Sequence, residues 1–312
     1  MIDFKLKICY NFEVSNNNNT LIHWFPGHMT KALRLIEANL KLCDVVIYVL
    51  DARAPLSSIN PSLNKLIGER AVVYALNKSD LAHEGRIREI AEKLTGERKV
   101  AVTLDSTRSG GAKIVIAKVK KLCQAKLDKY EAKGVKVPLK AMVVGVPNSG
   151  KSTLINNLAG GARAITGNRP GVTRGKQWVR ADEYLEVLDM PGTLYPKLDN
   201  QEIAVKLAAI GSIKDEVLDM CDLAVRLVDM IIKIDPKQIE KRYEISVSRH
   251  CEERSDEVIP CEMLFSEAIQ IIEEIARKRG YLLSGGKADI DRACMAVVDD
   301  FRKGRLGRIC LD

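Results

Sequence analysis

Residues 139–158 constrain the fold more than any other part of the chain, because an apolar run, a glycine-rich turn and a helix-forming run follow one another without a gap. The turn reads Gly145-Val146-Pro147-Asn148-Ser149-Gly150-Lys151-Ser152, which has the spacing GxxxxGK[ST]. Glycines at both ends of such a turn let backbone N–H groups point inward around phosphate groups. A chance glycine-rich turn is the alternative, but the order strand, loop and helix favours a phosphate-binding P-loop.

The residue types within this loop predict what each side chain does. Lys151 places a positive charge on the terminal phosphates of a nucleotide, and the Ser152 hydroxyl is a ligand for Mg²⁺. The other residues of this segment expected to contact the nucleotide are Asn148, Ser149, Gly150 and Thr153.

Short apolar runs rich in β-branched residues lie on both sides of the loop. They cover residues 44–52, 71–77, 99–104, 139–145 and 184–190, and helix-period segments separate most of them. This alternation predicts an α/β fold with a mostly parallel, doubly wound sheet. After residue 200 helix-period runs replace the strands, so we expect an α/β domain over 22–199 and a small all-α domain over 200–312. Residues 1–21 are predicted to be a poorly ordered extension, and 246–260 an insertion.

Two polar motifs follow predicted strands, and they are Asn77-Lys78-Ser79-Asp80 and Asp105-Ser106-Thr107. An aspartate at position 80 can accept two hydrogen bonds from guanine N1 and N2, whereas adenine offers no such pair of donors. Ser106 and Thr107 can place backbone N–H groups near guanine O6. Each motif alone is compatible with an ordinary turn. Beside a P-loop, both predict a guanine nucleotide.

The run Asp189-Met190-Pro191-Gly192 ends the strand predicted at 184–190. A carboxylate there can hold Mg²⁺ through water, and the Gly192 N–H can meet a γ-phosphate. The Thr173 hydroxyl, in a polar loop upstream, can complete the metal shell. A strand-ending turn is the alternative interpretation of the run.

The order of these motifs is unusual. In ordinary GTPases the P-loop comes first, but here residues 77–80 and 105–107 precede it. Joining the old termini and cutting the chain at another surface loop preserves a packed sheet while moving the ends. The sequence therefore predicts a circularly permuted P-loop GTPase domain.

With these motifs, the chain resembles the YlqF/RbgA family of circularly permuted ribosome-assembly GTPases from about residue 22 to its C-terminus. Besides the motifs above, the matching segments are residues 24–32 (WFPGHMTKA), 49–57 (VLDARAPLS), 169–179 (RPGVTRGKQWV) and 277–286 (RKRGYLLSGG). The resemblance implies GTP and Mg²⁺ as ligands. It implies His28 as a catalytic residue, beside Lys151 and Thr173, and Asn148 as a candidate K⁺ ligand. A structural role for His28 at the start of the first helix is equally open.

The position after Gly192 holds Thr193, where many GTPases carry a glutamine that orients water. Slow hydrolysis that a partner stimulates is therefore expected. A nucleotide-gated, ribosome-binding scaffold that hardly hydrolyses GTP is one alternative. A P-loop ATPase or kinase is another, but the motif at 77–80 disfavours it.

Charge predicts where a polyanion binds. Residues 1–199 contain 31 Lys and Arg against 19 Asp and Glu, and residues 200–312 contain 18 against 22. Counterion release favours phosphate-rich partners on the basic part. Candidate RNA contacts are nine lysines between 113 and 140, for which a solvated surface is the alternative, and Arg277, Lys278, Arg279, Arg302, Lys303, Arg305 and Arg308. The resemblance implies that the partners are a large ribosomal subunit precursor and its rRNA.

Eight cysteines without a CxxC pair are typical of free thiols in a reducing cytoplasm. No apolar run approaches the ~18 residues that a membrane span requires. The chain is expected to be cytoplasmic, monomeric and without a membrane partner.

Overall fold

The computed structural model describes residues 27–108, 110–160, 178–195, 200–247 and 261–312, and the side chains of 27–29 and 261–266 lie outside that description. The chain divides into two compact units. One contains the described residues of 25–196 with Asp312, and the other the described residues of 197–311. The segments 1–21 and 248–260, predicted to be an extension and part of an insertion, lie outside the described residues.

The first unit is built on a six-stranded sheet with the order β3-β2-β1-β4-β6-β5. The strands are β1 Val45–Asp51, β2 Ala71–Asn77, β3 Lys99–Thr103, β4 Leu139–Gly145, β5 Trp178–Asp182 and β6 Leu185–Asp189. All neighbours are parallel except β5 and β6, which are antiparallel. This arrangement confirms the predicted α/β class with a mostly parallel sheet.

The central strands are buried on both faces, which explains why they are runs of apolar residues rather than alternating ones. Every residue of β1 and β2 is buried. Helices cover the sheet, and side chains from both layers, such as Ile47, Val143 and Leu154, form one apolar core. The helices of this unit are α1 Gly27–Leu40, α2 Pro61–Ile67, α3 Glu84–Leu94, α4 Gly110–Leu122, α5 Gln124–Ala132 and α6 Lys151–Leu158.

Strand order determines where a ligand can enter. From β1 the chain adds β2 and β3 on one side, and β4 then pairs with the other side of β1. Open parallel sheets bind ligands outside the carboxyl ends of their strands, where the strand order reverses in this way. The crevice is therefore expected above the ends of β1 and β4, where Val49 pairs with Gly145.

The second unit is helical over its described residues. Its helices are α7 Gln201–Ala209, α8 Met220–Ile234, α9 Lys237–Tyr243, α10 Cys261–Lys278 and α11 Ile290–Arg302. Helix α8 begins after Asp219, because the Asp219 side chain accepts from the N–H groups of Cys221 and Asp222 and caps the helix. None of the described helices is long and apolar enough to cross a membrane.

Candidate nucleotide-binding site

The P-loop spans the turn between β4 and α6, and its backbone takes the conformations that such a loop requires. Gly145 has φ +153° and packs so closely on the Val49 carbonyl that a Cβ atom would clash with it. Gly150 (φ +91°) and Asn148 (φ +59°) are both left-handed. The Ser149 hydroxyl donates to the Val146 carbonyl at 2.9 Å. The loop is thus folded into a tight turn, with Asn148 and Ser152 exposed and Thr153 half-buried.

Lys151 is a buried cation with few partners. Its side chain begins α6, is 8% exposed, and donates to the Val146 carbonyl at 3.1 Å. Burial lowers the pKa of Lys151 to about 8, against the opposing charge of Asp189. An ammonium group that desolvation disfavours in this way gains most from an arriving anion. The site is therefore suited to phosphate.

Asn77 joins three segments that are distant in sequence. Its Nδ2 donates to the Ser149 carbonyl at 2.8 Å, and its Oδ1 accepts from the Ser106 N–H at 2.9 Å. A Cβ at Gly150 would clash with the same amide, so the contact requires glycine. Through one side chain, the end of β2, the loop after β3 and the P-loop are brought together.

The predicted guanine-binding residues border this junction. Asp80 is exposed in a 3-10 turn, Ser79–Leu81, directly after β2. Thr107 is also exposed, and its N–H and hydroxyl donate to Asp105 Oδ1 at 2.8 and 2.5 Å. Ser106 is buried, and its carbonyl accepts from the Asn157 side chain. The turn that carries Asp80 and the loop at 105–107 are therefore both joined to Asn77, the first along the chain and the second by a hydrogen bond.

Lys78 links the motif at 77–80 to the P-loop. Its backbone is left-handed, with φ +59°, and its ammonium donates to the Asn148 carbonyl at 2.6 Å and to Asp51 Oδ2 at 2.8 Å. The Asp51 carboxylate also accepts from the Arg53 guanidinium at 2.9 and 2.7 Å. Burial alone would raise the pKa of Asp51, but these two cations outweigh it and hold the pKa below its usual value.

Asp51 and Arg53 are residues to which the sequence reasoning gave no role. They belong to segment 49–57, which matches the family, but the residue types in that segment did not indicate a function for either side chain. Their partner Lys78 comes 27 positions after Asp51 and directly follows another strand, β2. Only the parallel pairing of β1 with β2, which sets Asp51 beside Asn77, reveals the contact.

The segment after β6 lies against the P-loop. Asp189 is half-buried, and burial raises its pKa against the charge of Lys151. A Cβ at Gly192 would lie 3.1 Å from Lys151 Nζ. The Thr193 N–H donates to the Gly145 carbonyl at 3.1 Å, while its buried hydroxyl has no hydrogen-bond partner among the described residues. The run 189–192 therefore lies next to Lys151, the lysine of the P-loop.

Residues 194–195 are tied to the loop between β1 and α2. The Asn60 side chain donates to the Leu194 carbonyl at 2.8 Å. The Tyr195 hydroxyl donates to the carbonyls of Ser57 and Ile59, both at 2.8 Å. This segment is held by specific hydrogen bonds up to the end of the first unit's described residues.

Two predicted residues are not placed. Thr173 lies outside the described residues, and so does the side chain of His28, although the backbone of His28 belongs to α1. Their predicted roles in metal binding and catalysis stay predictions. The described residues bring together the other predicted segments: Asn77 to Asp80, Ser106 and Thr107, Asn148 to Thr153, and Asp189 to Gly192.

Comparisons with known proteins give a matching family model, named relatives and a solved structure. A family model described as 50S ribosome-binding GTPase matches residues 140–260. Ribosome biogenesis GTPase A of Priestia megaterium is 37% identical over 293 residues, which cover 93% of this chain and 96% of that protein. The protein of the same name from Bacillus cereus is 36% identical and covers 94% of each chain. The crystal structure of GNP-bound YlqF from T. maritima superimposes with a TM-score of 0.58 at 26% identity, covering 90% of this chain and 97% of that one.

Proposed function

The chain belongs to the ribosome biogenesis GTPase A family, and from that premise we propose that it binds and hydrolyses GTP to drive a late step in assembly of the large ribosomal subunit. The single observation that carries the nucleotide assignment is the position of Asn77. Its amide bonds the P-loop and the loop at 105–107 at once, so segments written in permuted order form one cleft. Asp80, beside that junction, would select guanine.

Magnesium fits the oxygen donors at this site. Among the described residues, no three His, Cys, Asp or Glu side chains lie close enough to form a metal site by themselves. Mg²⁺ in nucleotide sites usually takes one or two protein oxygens and completes its shell with phosphates and water. The Ser152 hydroxyl and, through water, Asp189 would hold it, with Thr173 as a third donor. When bound, the ion would neutralise charge on the phosphates.

The residues of the chain would divide the work of hydrolysis. Lys151 would bind the terminal phosphates, and the P-loop N–H groups would orient them. His28 would hold the attacking water once a partner orders the surrounding segment. Asn148 is the proposed K⁺ ligand. Because Thr193 stands where many GTPases have glutamine, we expect turnover to be slow without a partner.

The basic side chains indicate which surface would meet rRNA. Of the nine lysines between 113 and 140, Lys120 pairs with Asp182, Lys126 with Asp44, and Lys140 stacks over Trp178. In the helical unit, by contrast, Arg277, Arg302, Lys303 and Arg305 all pair with acids of the same unit. A smaller share of the lysines in and around helices α4 and α5 is paired with acidic side chains. This supports these helices as the RNA-facing surface.

The experiment is GTP turnover by the whole chain, alone and with large ribosomal subunits, in K⁺ and in Na⁺. We expect slow turnover alone and stimulation of about tenfold or more by subunits, because a partner that completes a GTPase site acts at least on this scale. ATP should be hydrolysed far more slowly. If His28 is catalytic, His28→Ala should reduce only the stimulated rate, with nucleotide affinity unchanged.

A scaffold that hardly hydrolyses GTP is the second candidate. The buried Thr193 hydroxyl, which has no partner within the described part of the chain, favours it, since no water-orienting amide occupies that position. Tight GTP binding without turnover in the presence of subunits would identify the scaffold. ATP turnover faster than GTP turnover would contradict both candidates.

A further inference from the structure

Asp51 is a buried carboxylate at the end of β1, above the switch point of the sheet. Its side chain is 1% exposed and accepts four hydrogen bonds. Three come from Arg53, through the backbone N–H at 3.1 Å and the guanidinium at 2.9 and 2.7 Å, and one comes from the Lys78 ammonium at 2.8 Å. Arg53 is itself 2% exposed. Such a pair is costly to bury, so its location needs a reason.

The location is informative because the pair holds a residue that touches the P-loop. Lys78 has a flexible four-carbon stem, and its ammonium ends between Asp51 and the Asn148 carbonyl. Both Lys78 and Asn148 have left-handed backbones, which non-glycine residues adopt only when their surroundings hold them. The bond from Lys78 to Asn148 joins these two strained positions. Asp51 fixes the side chain that makes the bond.

We propose that Asp51 and Arg53 are positioning residues for nucleotide binding, holding Lys78 so that the guanine-binding motif and the P-loop keep one spacing. The inference rests on the proposed function, since it concerns the affinity of the same site. A base and a phosphate chain are joined covalently, so a nucleotide fits only one distance between the two loops. The Arg53 guanidinium donates to both oxygens of Asp51, which fixes the carboxylate, and Oδ2 also accepts from the Lys78 ammonium.

The competing explanation is that the pair only stabilises the fold. In that case its loss would lower the melting temperature without a selective effect on nucleotides. A positioning role predicts a different pattern. GDP and GTP should be weakened equally, because both contain the base and the P-loop phosphates, and the effect should depend on Lys78.

The test is Asp51→Asn in the whole chain, with GDP and GTP affinities measured by fluorescence titration of labelled nucleotides. We expect both dissociation constants to rise about tenfold, the usual size when a partner that orients a binding residue is removed. The loss should fall on KM and on the nucleotide release rate rather than on kcat at saturating GTP. Asp300→Asn in the helical unit is the matched control, because it makes the same change at a buried carboxylate held by arginines.

A double-mutant cycle separates positioning from stability. Lys78→Met should weaken both nucleotides, and adding Asp51→Asn to it should change the affinities by less than about twofold, since the contact is already lost. Additive effects of the two substitutions would overturn the proposal, and so would unchanged affinity in Asp51→Asn with a lower melting temperature.

Two further outcomes keep the result interpretable. If Asp51→Asn does not fold cooperatively, Arg53→Lys takes its place, since lysine keeps the charge but cannot make the bidentate contact with Asp51. Affinity about threefold weaker is then expected, and unchanged affinity overturns the proposal. A wild-type chain that binds neither GDP nor GTP would instead refute the proposed function itself.

Discussion

Two buried charged side chains, Lys151 in the sheet unit and Asp300 in the helical unit, are accommodated in opposite ways. In the sheet unit, Lys151 is buried and, among the described residues, donates to one carbonyl, and burial lowers its pKa to about 8. In the helical unit, the Asp300 carboxylate accepts from Arg242 at 2.7 and 3.1 Å, Arg305 at 2.9 Å and the Tyr243 hydroxyl at 3.1 Å. Burial alone would raise the pKa of Asp300, but these donors hold it below its usual value.

The partners of a buried charged side chain indicate whether it has a structural or a ligand-binding role. The Asp300 carboxylate is compensated by arginines and a tyrosine of the chain, so it needs no ligand, and removing it alone would destabilise the fold. Among the described residues, Lys151 has no anionic partner in hydrogen-bond contact, so its burial is useful only when a phosphate arrives. The Asp51 network combines both properties, because its carboxylate is saturated while the lysine it holds contacts the P-loop.

Replacing Lys151 gives the largest expected effect. Lys151→Met should weaken GTP binding about a thousandfold, since the phosphates lose their buried cation, and removing one partner of a buried charge pair costs about 2–5 kcal/mol of binding free energy. The empty variant should melt at a higher temperature than the wild type at pH 7, because an uncompensated buried charge is gone. Titration calorimetry and thermal unfolding measure the two effects. If Lys151→Met bound GTP as tightly as the wild type, the contrast between Lys151 and Asp300 would be wrong.

The helical unit should respond in the reverse manner. Asp300→Asn should cost about 3 kcal/mol of unfolding free energy, because it leaves Arg242 and Arg305 without their buried partner. Nucleotide affinity should stay at the wild-type value. The folded-state pKa of Asp300 is depressed, so its contribution is present above about pH 4 and disappears as the pH falls further. Denaturant titrations at pH 7 and pH 3 measure this, and equal destabilisation at both would contradict the assignment.

Asp80 is a third case, because it is an exposed acid whose proposed hydrogen-bond partner is the guanine base of the ligand. Asp80→Asn should weaken GTP binding by about 2 kcal/mol, roughly thirtyfold, because two hydrogen bonds from guanine lose their charged acceptor. Xanthine nucleotides, which present an acceptor where guanine presents an amino group, should bind better than they do to the wild type. Competition titrations with GDP and XDP measure both effects. A variant that keeps the wild-type preference for GDP would refute the guanine assignment.

The pH dependence of binding tests Lys151 without a mutation. Its pKa in the empty protein is about 8, below the ordinary 10.5, so raising the pH above 8 removes the charge that binds phosphate. GTP affinity should fall about tenfold between pH 7 and pH 9, and binding at pH 9 should take up about one proton. Calorimetry in buffers of different ionisation enthalpy measures the uptake, which Lys151→Met should abolish.

The protein without nucleotide should gain stability from pH 8 to 10.5, where the unfolded chain holds more protons than the folded one.

The sequence predicted the central sheet well, for a physical reason. Strands β1, β2 and β4 are buried on both faces, so continuous β-branched runs reveal them. Strand β5 was missed, because in this short antiparallel edge strand Val179 is the one buried residue. Helix α9, with seven residues, was missed as well, since it is too short to show a period.

The site was predictable where its chemistry is local. The P-loop and the motif at 77–80 are contiguous in sequence and follow strands, so their residue types and spacing were sufficient. The Asp51 network was not predictable, because its members come from three segments that only the strand order brings together. The buried Thr193 hydroxyl was also invisible, since burial depends on what packs around it.

The claim that two segments in permuted order hold one nucleotide is tested most directly by XDP binding to Asp80→Asn and to Asp80→Asn combined with Lys151→Met. The account predicts that the single variant binds one XDP per chain and that the double variant loses this binding, since base and phosphates belong to one ligand. XDP binding that survives the loss of Lys151 would show that residues 80 and 151 serve separate sites, and would contradict the account.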